Sequence, residues 1–345
     1  MTLESETVND GESAEAETQH HFQLVAKAKK IPDVDCRTPA AEAIQLVLRA
    51  RLEEMCALRD RALDWSDPEG IHDMRVASRR LRSVLADFKP YLRRGTLPRG
   101  RLKMIAAALG TVRDEDVSLL ALESLKTKVA EQIAQGIEAI AGERRRRRLH
   151  ERASLEKMIG NAAIFEFRQD FLTRLETAVP GSGEVSTAKA APKNQTFRQV
   201  GGDVITRRLK GLSEGSECIY HPTRRKKLHR LRILAKRMRY AVDLFSDCWP
   251  DEFKTIAREI ARLQTSLGGL HDCDVWIAEL GKRIKKSNRA RRSRDTHDPH
   301  ADTAVWLLQY FARERTNHYG EALVRWQEWQ ATGFLTKLKE LVGKD

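Results

Sequence analysis

The sequence has few of the features that mark membrane-spanning or disulfide-stabilised proteins. No apolar run reaches the roughly 18 residues that a membrane-spanning helix needs. There are five cysteines, an odd number, and they include no CxxC pair, so the sequence does not contain an even disulfide framework. Scattered cysteines of this kind are typical of a reducing compartment. We therefore expect a cytoplasmic protein with no membrane span.

Positive charge is missing from the start of the chain. Residues 1–26 contain no lysine or arginine, and they carry six carboxylates, those of Glu4, Glu6, Asp10, Glu12, Glu15 and Glu17. A secretory signal has the reverse arrangement, a basic segment followed by an apolar one, so we expect no signal here. Because so little of this segment is apolar, the sequence predicts a disordered acidic tail over residues 1–37.

The rest of the chain is rich in positive charge. Among 345 residues, 62 lysines and arginines outnumber 49 aspartates and glutamates, which gives a formal net charge of +13 and an isoelectric point near 9.6. The length predicts about two domains. The charge favours a polyanionic partner but does not say which polyanion it is.

Signals for β-strands are scarce as well. Paired runs of Val, Ile and Thr joined by Asn-Gly turns are missing, and apolar residues recur at helical spacing in segments such as 40–63 and 305–329. The sequence therefore predicts an all-α protein. Residues 181–195, rich in small and polar residues, predict a flexible linker. The strongly basic stretch 282–300 predicts a mobile loop.

Two segments of the sequence occur twice. HDMRVASRRLR at 72–82 is matched 157 residues later by HRLRILAKRMR at 229–239, and LGTVRDEDV at 109–117 is matched by LGGLHDCDV at 267–275. Because both motifs recur in the same order, we predict two copies of one structural unit, over residues 38–180 and 196–345. The expected fold is two pseudo-symmetric bundles of about four to five helices each, which arose by internal duplication.

Each repeated helix carries a stripe of basic residues beside an apolar face. On a wheel of 100° per residue, the stripe of the first helix fills an arc of about 80° with a histidine at its edge. It consists of His72, Arg75, Arg79 and Arg82. The same four angles in the second helix belong to His229, Arg232, Lys236 and Arg239. Arg80 and Arg237 lie on another side of their helices.

The stripes need negative charge from outside their own helices. Residues 224–239 hold nine lysines and arginines and no acidic residue, and like charges on one helix face repel one another. Another helix could supply the counter-charge, or a bound anion could. A stripe of about 15 Å is long for one phosphate and suits a chain of phosphates, which guanidinium groups bind with paired hydrogen bonds. The alternative interpretation is a solvated basic face.

The two HxxRxxx[RK]RxR helices, each followed by an LGxx[RH]DxDV segment, resemble the CHAD domain, the conserved-histidine α-helical domain. The resemblance covers most of residues 40–340. It implies two pseudo-symmetric helical bundles around a basic channel that binds inorganic polyphosphate without catalysis. It also implies a standalone form, because the ExExK motif that marks an N-terminal triphosphate-tunnel domain in many relatives is missing.

The resemblance also implies which residues bind the anion. They are His72, Arg75, Arg79, Arg80, Arg82, His229, Arg232, Lys236, Arg237 and Arg239. Arg113 is a further candidate that would extend the site.

We expect no catalytic residue, metal or cofactor. GxxxxGK[ST] and HExxH motifs are missing, and neither His72 nor His229 has a His, Cys or carboxylate three or four residues later. His271-Asp272 resembles the dyad of metal phosphohydrolases, but its counterpart is Arg113-Asp114, which favours a structural role.

The remaining charged and glycine-containing motifs have structural interpretations. We interpret Gly110 and Gly268 as helix ends, and the aspartates after them as N-terminal residues of the next helices. The arginine run at 144–148, together with Arg313 and Arg315, is either a solvated face or a further channel wall.

Two other functions stay open at this point. The net charge and the basic stretch 282–300 would also suit nonspecific binding of DNA or RNA, although no helix-turn-helix, zinc-finger or RNA-binding sheet motif is present. A structural role at storage granules is the other alternative, and it depends on a hint from the family alone.

Overall fold

The computed structural model describes residues 31–67, 69–179, 195–292 and 300–343, which form helices and no strand. The predicted all-α class is confirmed. The helices are α1 (Ala40–Ala57), α2 (Arg59–Leu63), α3 (Gly70–Asp87), α4 (Arg99–Lys126), α5 (Glu131–Ile159), α6 (Asn161–Ala178), α7 (Phe197–Gly215), α8 (Arg225–Phe245), α9 (Glu252–Arg292), α10 (Ala301–Ala331) and α11 (Phe334–Gly343). Short 3₁₀ turns at Lys89–Tyr91, Ser216–Tyr220 and Ser246–Cys248 follow α3, α7 and α8. None of the described helices is both long and apolar enough to cross a membrane.

The helices of the two halves follow one another in the same order. The buried positions of α1, such as Ala43 and Val47, recur 157 residues later in α7 as Val200 and Val204. Equivalent residues also touch each other. Pro39 forms an isolated bridge with Thr196, and the rings of Phe88 and Phe245 meet edge-on with centroids 6.4 Å apart. Contacts between equivalent residues are what a two-fold arrangement produces. The origin of the halves by duplication stays a prediction.

The two halves share their apolar cores. The larger cluster of buried residues contains members of α1 and α3 from the first half and of α7 and α8 from the second. A smaller cluster joins Leu122 and Ile137 of the hairpin α4–α5 to Leu280 and Leu307 of the hairpin α9–α10. Because both clusters draw on both halves, the halves are held to each other by the burial of apolar area that stabilises each of them.

Two predicted boundaries need correction. Helix α9 continues to Arg292, so the predicted basic loop is helical over 282–292, where Arg283 is held against α5 by two hydrogen bonds of 2.8 and 3.0 Å to Glu143. The predicted tail also ends earlier than residue 37, because Ile31, Val34 and Cys36 pack against the larger core cluster. The remainder of the predicted loop, 293–299, the tail over 1–30 and linker residues 181–194 lie outside the described residues.

The interpretation of Gly110 and Gly268 as helix ends is wrong. Both lie inside continuous helices, α4 and α9, and the aspartates that follow them are therefore interior helical residues. A glycine inside a helix costs about 1 kcal/mol relative to alanine, which packing of the whole helix overrides. At Gly110 an added Cβ would lie 3.7 Å from Nε of Arg75, so this position is where an arginine of α3 crosses α4.

Candidate functional site

A charged belt separates the two apolar clusters along the four long helices. On α4 it is residues 113–116, on α5 residues 144–152, on α9 residues 271–274, and on α10 residues 313–318. Charged groups between apolar clusters cost free energy unless they are paired, so the partners of each cation decide what the belt can do.

Several arginines of the belt are paired with carboxylates. Arg144 is buried, lies 3.1 Å from Glu115 and 2.6 Å from Glu279, and has its guanidinium carbon 4.2 Å from the ring centre of Trp276. Arg148, Arg152 and Arg315 are also paired; Arg148 and Arg152 lie 3.3 and 3.8 Å from Asp116, and Arg315 lies 2.8 Å from Asp274. These residues cross-link the long helices. Of the two interpretations left open, neither a solvated face nor a channel wall fits the buried Arg144.

A second group of cations lies where α3 meets α8. It consists of Arg75 and Arg79 from α3 with Arg232 and Lys236 from α8, and we call these four residues the cation cluster. Lys236 is close enough to the other three for each of them to lower its pKa, and the pKa of Arg75 is lowered by Arg79 and Arg232. The two stripes therefore face each other, and the four residues come from equivalent positions of the two halves.

Carboxylates balance the cation cluster only in part. Arg75 lies 2.9 Å from Asp114 of α4, and the carboxyl group of Asp272 on α9 lies in the same region. Within the described part of the chain, Arg79, Arg232 and Lys236 make no ion pair within 4 Å, and Nε of Arg79 is buried without a hydrogen-bond partner. Four basic residues, three of them arginines, thus face two carboxyl groups, and the cluster keeps an excess of positive charge.

Burial and mutual repulsion make these charges costly. Burial, followed by the repulsion of Arg79 and Arg232, lowers the pKa of Lys236 from 10.5 to about 6. Burial and the repulsion of Arg79 lower the pKa of Arg75 to about 10, and they also lower the pKa of Arg232. Burial also raises the pKa of Asp272. A group whose charged form is disfavoured in this way regains its charge when an opposite charge arrives, so the cluster is suited to an anion.

A pair of histidines extends the cluster along α8 and α9. Nδ1 of His229 lies 3.0 Å from Nδ1 of His271, with ring centres 4.1 Å apart. One ring must donate to the other, and burial together with Arg232 lowers the pKa of both rings, that of His271 to about 4. In the first half, burial and Arg113 lower the pKa of His72 to about 4. Here Arg113 occupies the position that is equivalent to His271.

Comparison with known proteins identifies the family and the fold of the chain. The family profile of the CHAD domain matches residues 46–281. The chain belongs to the CHAD-domain family. Its fold is similar to the crystal structure of the CHAD domain from the plant Ricinus communis, with a TM-score of 0.63 and 18% sequence identity over 86% of this chain and 94% of that one. It is also similar to PptA from Streptomyces chartreusis, with a TM-score of 0.59 and 14% identity over 84% of this chain and 100% of that one. No curated protein matches the sequence.

Within this CHAD domain, the structure places four sequence-predicted residues away from the cation cluster. Arg80 is buried against Glu54 of α1 at 3.1 Å, which corrects its inclusion among the anion ligands. Arg239 lies 3.6 Å from Asp243 and 3.5 Å from Oε1 of Gln264. The other two, Arg82 and Arg237, are exposed.

His271 is the residue that sequence reasoning missed. The signal in the sequence was that His271 occupies the position equivalent to Arg113, which was a candidate for the anion site. Because the segment was interpreted as the start of a helix, the histidine was assigned a structural role instead.

One group of potential metal ligands lies around the start of α3, near the cation cluster. Single ligand atoms of Glu69, His72 and Asp73 lie within 4.8 Å of one another. Both carboxylates already face arginines, since Asp73 lies 2.9 Å from Arg61 and Glu69 lies 3.8 Å from Arg113. The positive charge of these arginines opposes a divalent cation. The sequence-based expectation considered only the third and fourth residues after His72, and Glu69 lies three residues before it.

Proposed function

We propose that this CHAD protein is a non-enzymatic binding module for linear inorganic polyphosphate, which it holds between α3 and α8. The observation that carries the proposal is the excess charge of the cation cluster, where Arg79, Arg232 and Lys236 have no ion-pair partner within the described residues. Burying cations without partners costs free energy in the free protein. A bound polyanion supplies the missing negative charge and so offsets that cost.

The shape of the site favours a chain of phosphates over a single one. Residues 72–82 of α3 extend for about 15 Å, and α8 presents equivalent residues beside them. Arginine binds phosphate oxygens with two parallel charge-assisted hydrogen bonds, and the flexible ammonium of lysine serves as a point charge. A linear polyphosphate would therefore meet cations from both halves along its length. Polyphosphate is also the ligand that membership in the family implies.

The experiment that tests the proposal is a binding comparison at about 150 mM salt. Long-chain polyphosphate, duplex DNA and single-stranded RNA are titrated into the parent protein and into the double variant Arg79→Ala/Lys236→Ala. Each lost charge-assisted contact weakens binding about tenfold, so we expect the double variant to bind polyphosphate about 100-fold more weakly. The matched control is Lys285→Ala/Arg289→Ala, which removes two exposed charges from the end of α9. We expect it to bind nearly as tightly as the parent.

Two results would overturn the proposal. One is a parent protein that binds DNA or RNA more tightly than polyphosphate, which would support the nucleic-acid alternative. The other is an equal loss of polyphosphate affinity in the double variant and in its control, which would mean that total charge alone sets the affinity.

A further inference from the structure

The two halves differ in how they neutralise one pair of equivalent arginines. In the first half, Arg51 of α1 and Arg80 of α3 both donate to Glu54, at 2.7 and 3.1 Å, and all three side chains are buried. Asp243 lies close by, beside a small cavity of about 20 Å³ that Arg51 and Arg80 line. Such a cavity holds at most a water molecule. This arginine pair has no room and no spare charge for an anion.

In the second half the carboxylate is missing. The residues 157 positions after Arg51 and Arg80 are Arg208 and Arg237, and the position equivalent to Glu54 is Gly211. The alignment is supported by the buried apolar positions of α1, each of which has a buried counterpart in α7 at this offset. A glycine supplies neither a counter-charge nor a side chain that fills the space in front of the arginines.

Arg208 has a different partner, and Arg237 forms no ion pair within 4 Å in the described part of the chain. Arg208 donates from Nε to Oδ1 of the buried Asp87 at 2.6 Å, and Arg207 donates to the carbonyl oxygen of the same residue at 2.9 Å. Among the described residues, no carboxylate lies within 4 Å of Arg237 or of Arg82, and both side chains are exposed. Burial, followed by repulsion from Arg208 and then from Arg82, lowers the pKa of Arg237, whereas Asp87 acts in the opposite direction. Arg208 and Arg237 thus share one nearby carboxylate, that of Asp87, and it is already engaged by Arg208.

We propose that Arg82, Arg208 and Arg237 form a second anion subsite, which binds phosphate groups of a long polyphosphate chain after it leaves the cation cluster. Arg82 lies one turn of α3 beyond Arg79, a rise of about 4.5 Å, so the two sites are near enough for one chain to occupy both. The inference rests on the proposed function and adds a chain-length preference to it. Short chains fill the cation cluster, and long chains also reach the subsite.

The substitution that tests the subsite is Gly211→Glu. It supplies the carboxylate that the first half has at Glu54, and it should pair with Arg208 and Arg237 as Glu54 pairs with Arg51 and Arg80. Space is available, since a Cβ at Gly211 would meet only Cδ2 of Leu234, at 3.7 Å. Gly211→Ala is the matched control for the backbone and the added methyl group. Arg237→Ala is a second variant at an exposed position that does not depend on how the new glutamate is oriented.

The readout is the affinity of each variant for tripolyphosphate and for long-chain polyphosphate. We expect Gly211→Glu and Arg237→Ala to bind long chains about tenfold more weakly than the parent and tripolyphosphate equally well, because one charge-assisted contact region is lost. Gly211→Ala should match the parent with both ligands. Long-chain affinity that is unchanged in both Gly211→Glu and Arg237→Ala would overturn the subsite alone. A parent protein that binds neither ligand would overturn the proposed function itself.

Discussion

The charged belt lies on α4, α5, α9 and α10 and the cation cluster on α3 and α8, and the two regions neutralise arginine in opposite ways. In the belt, Arg144 has carboxylates on two sides and an aromatic ring beneath it. In the cluster, Arg79 and Arg232 have no ion pair within 4 Å among the described residues. The number of basic residues in a segment therefore says little about binding. The balance between cations and nearby carboxylates is what separates a structural arginine from a ligand-binding one.

This difference has consequences for stability. Removing one member of a buried ion pair leaves the partner as an uncompensated charge, which is strongly destabilising. Removing a buried cation that has no partner takes away a charge whose burial and repulsion were unfavourable. Substitutions of paired and of unpaired cations should therefore change stability in opposite directions, and only those in the cluster, or beside it at Asp272, should change the affinity for polyphosphate.

The largest effect on stability is expected from Arg144→Ala. This change removes the buried partner of Glu115 and Glu279, which keep only the more exposed Arg147 at 3.8 and 3.2 Å, and it removes the cation–π contact with Trp276. The free energy of unfolding should therefore fall by about 3 kcal/mol. Urea denaturation followed by circular dichroism measures it. Arg146→Ala, an exposed neighbour in the same arginine run, is the control and should stay within about 0.5 kcal/mol of the parent. Equal free energies of unfolding for the two variants would show that the ion pairs of Arg144 do not stabilise the fold.

The opposite result is expected from Lys236→Met in the cation cluster. Methionine has a similar length and no charge, so the free energy of unfolding should rise by about 1 kcal/mol while the affinity for polyphosphate falls. The pKa of Lys236 in the folded protein is about 6, against 10.5 when unfolded, so the unfolded state binds more protons in between. Stability of the parent should therefore increase from pH 6 towards pH 10, and Lys236→Met should lose that increase. A variant less stable than the parent at pH 7 would contradict this account.

The contrast between belt and cluster could be predicted from the sequence only in part. The helical class followed from apolar periodicity, and the facing stripes followed from residue types that recur at the same wheel angles in 72–82 and 229–239. Arg80 could not be assigned in this way. Its partner Glu54 comes from a different helix, and a wheel shows which side a residue faces without showing what lies there.

Long-range partners also explain the other errors. The glycines at 110 and 268 are strong local signals for a helix end, but the hairpins α4–α5 and α9–α10 bury enough apolar area to keep each helix continuous. Likewise, His271 was given a structural role because its local sequence suggested a helix start. Only the packing of α9 against α8 brings its ring to His229.

A pH dependence of binding is the next expected effect and is smaller than the loss in Lys236→Met. Phosphate charge next to Lys236 raises the pKa of its ammonium above about 6, so binding takes up a proton between the free and bound pKa values. The affinity for polyphosphate should therefore fall as the pH rises from 6 to 8, by at most about tenfold per pH unit for one proton. Calorimetry in buffers of different ionisation enthalpy measures the proton uptake directly. Lys236→Met should reduce it, whereas unchanged proton uptake would place the titrating group elsewhere.

The smallest effect, and the one that most directly tests the balance of charges, is expected from Asp272→Asn. The carboxyl group of Asp272 lies among the cations without forming an ion pair within 4 Å in the described chain, and burial raises its pKa. Where it is ionised it competes with a bound anion for Arg232 and Lys236. The amide keeps the shape and removes that competition, so polyphosphate should bind a few-fold more tightly. Asp274→Asn is the contrasting variant, because Asp274 pairs with Arg315 at 2.8 Å in the belt. Its loss should lower stability and leave affinity unchanged, and a gain of affinity in both variants would show that the two regions do not differ as their ion pairs indicate.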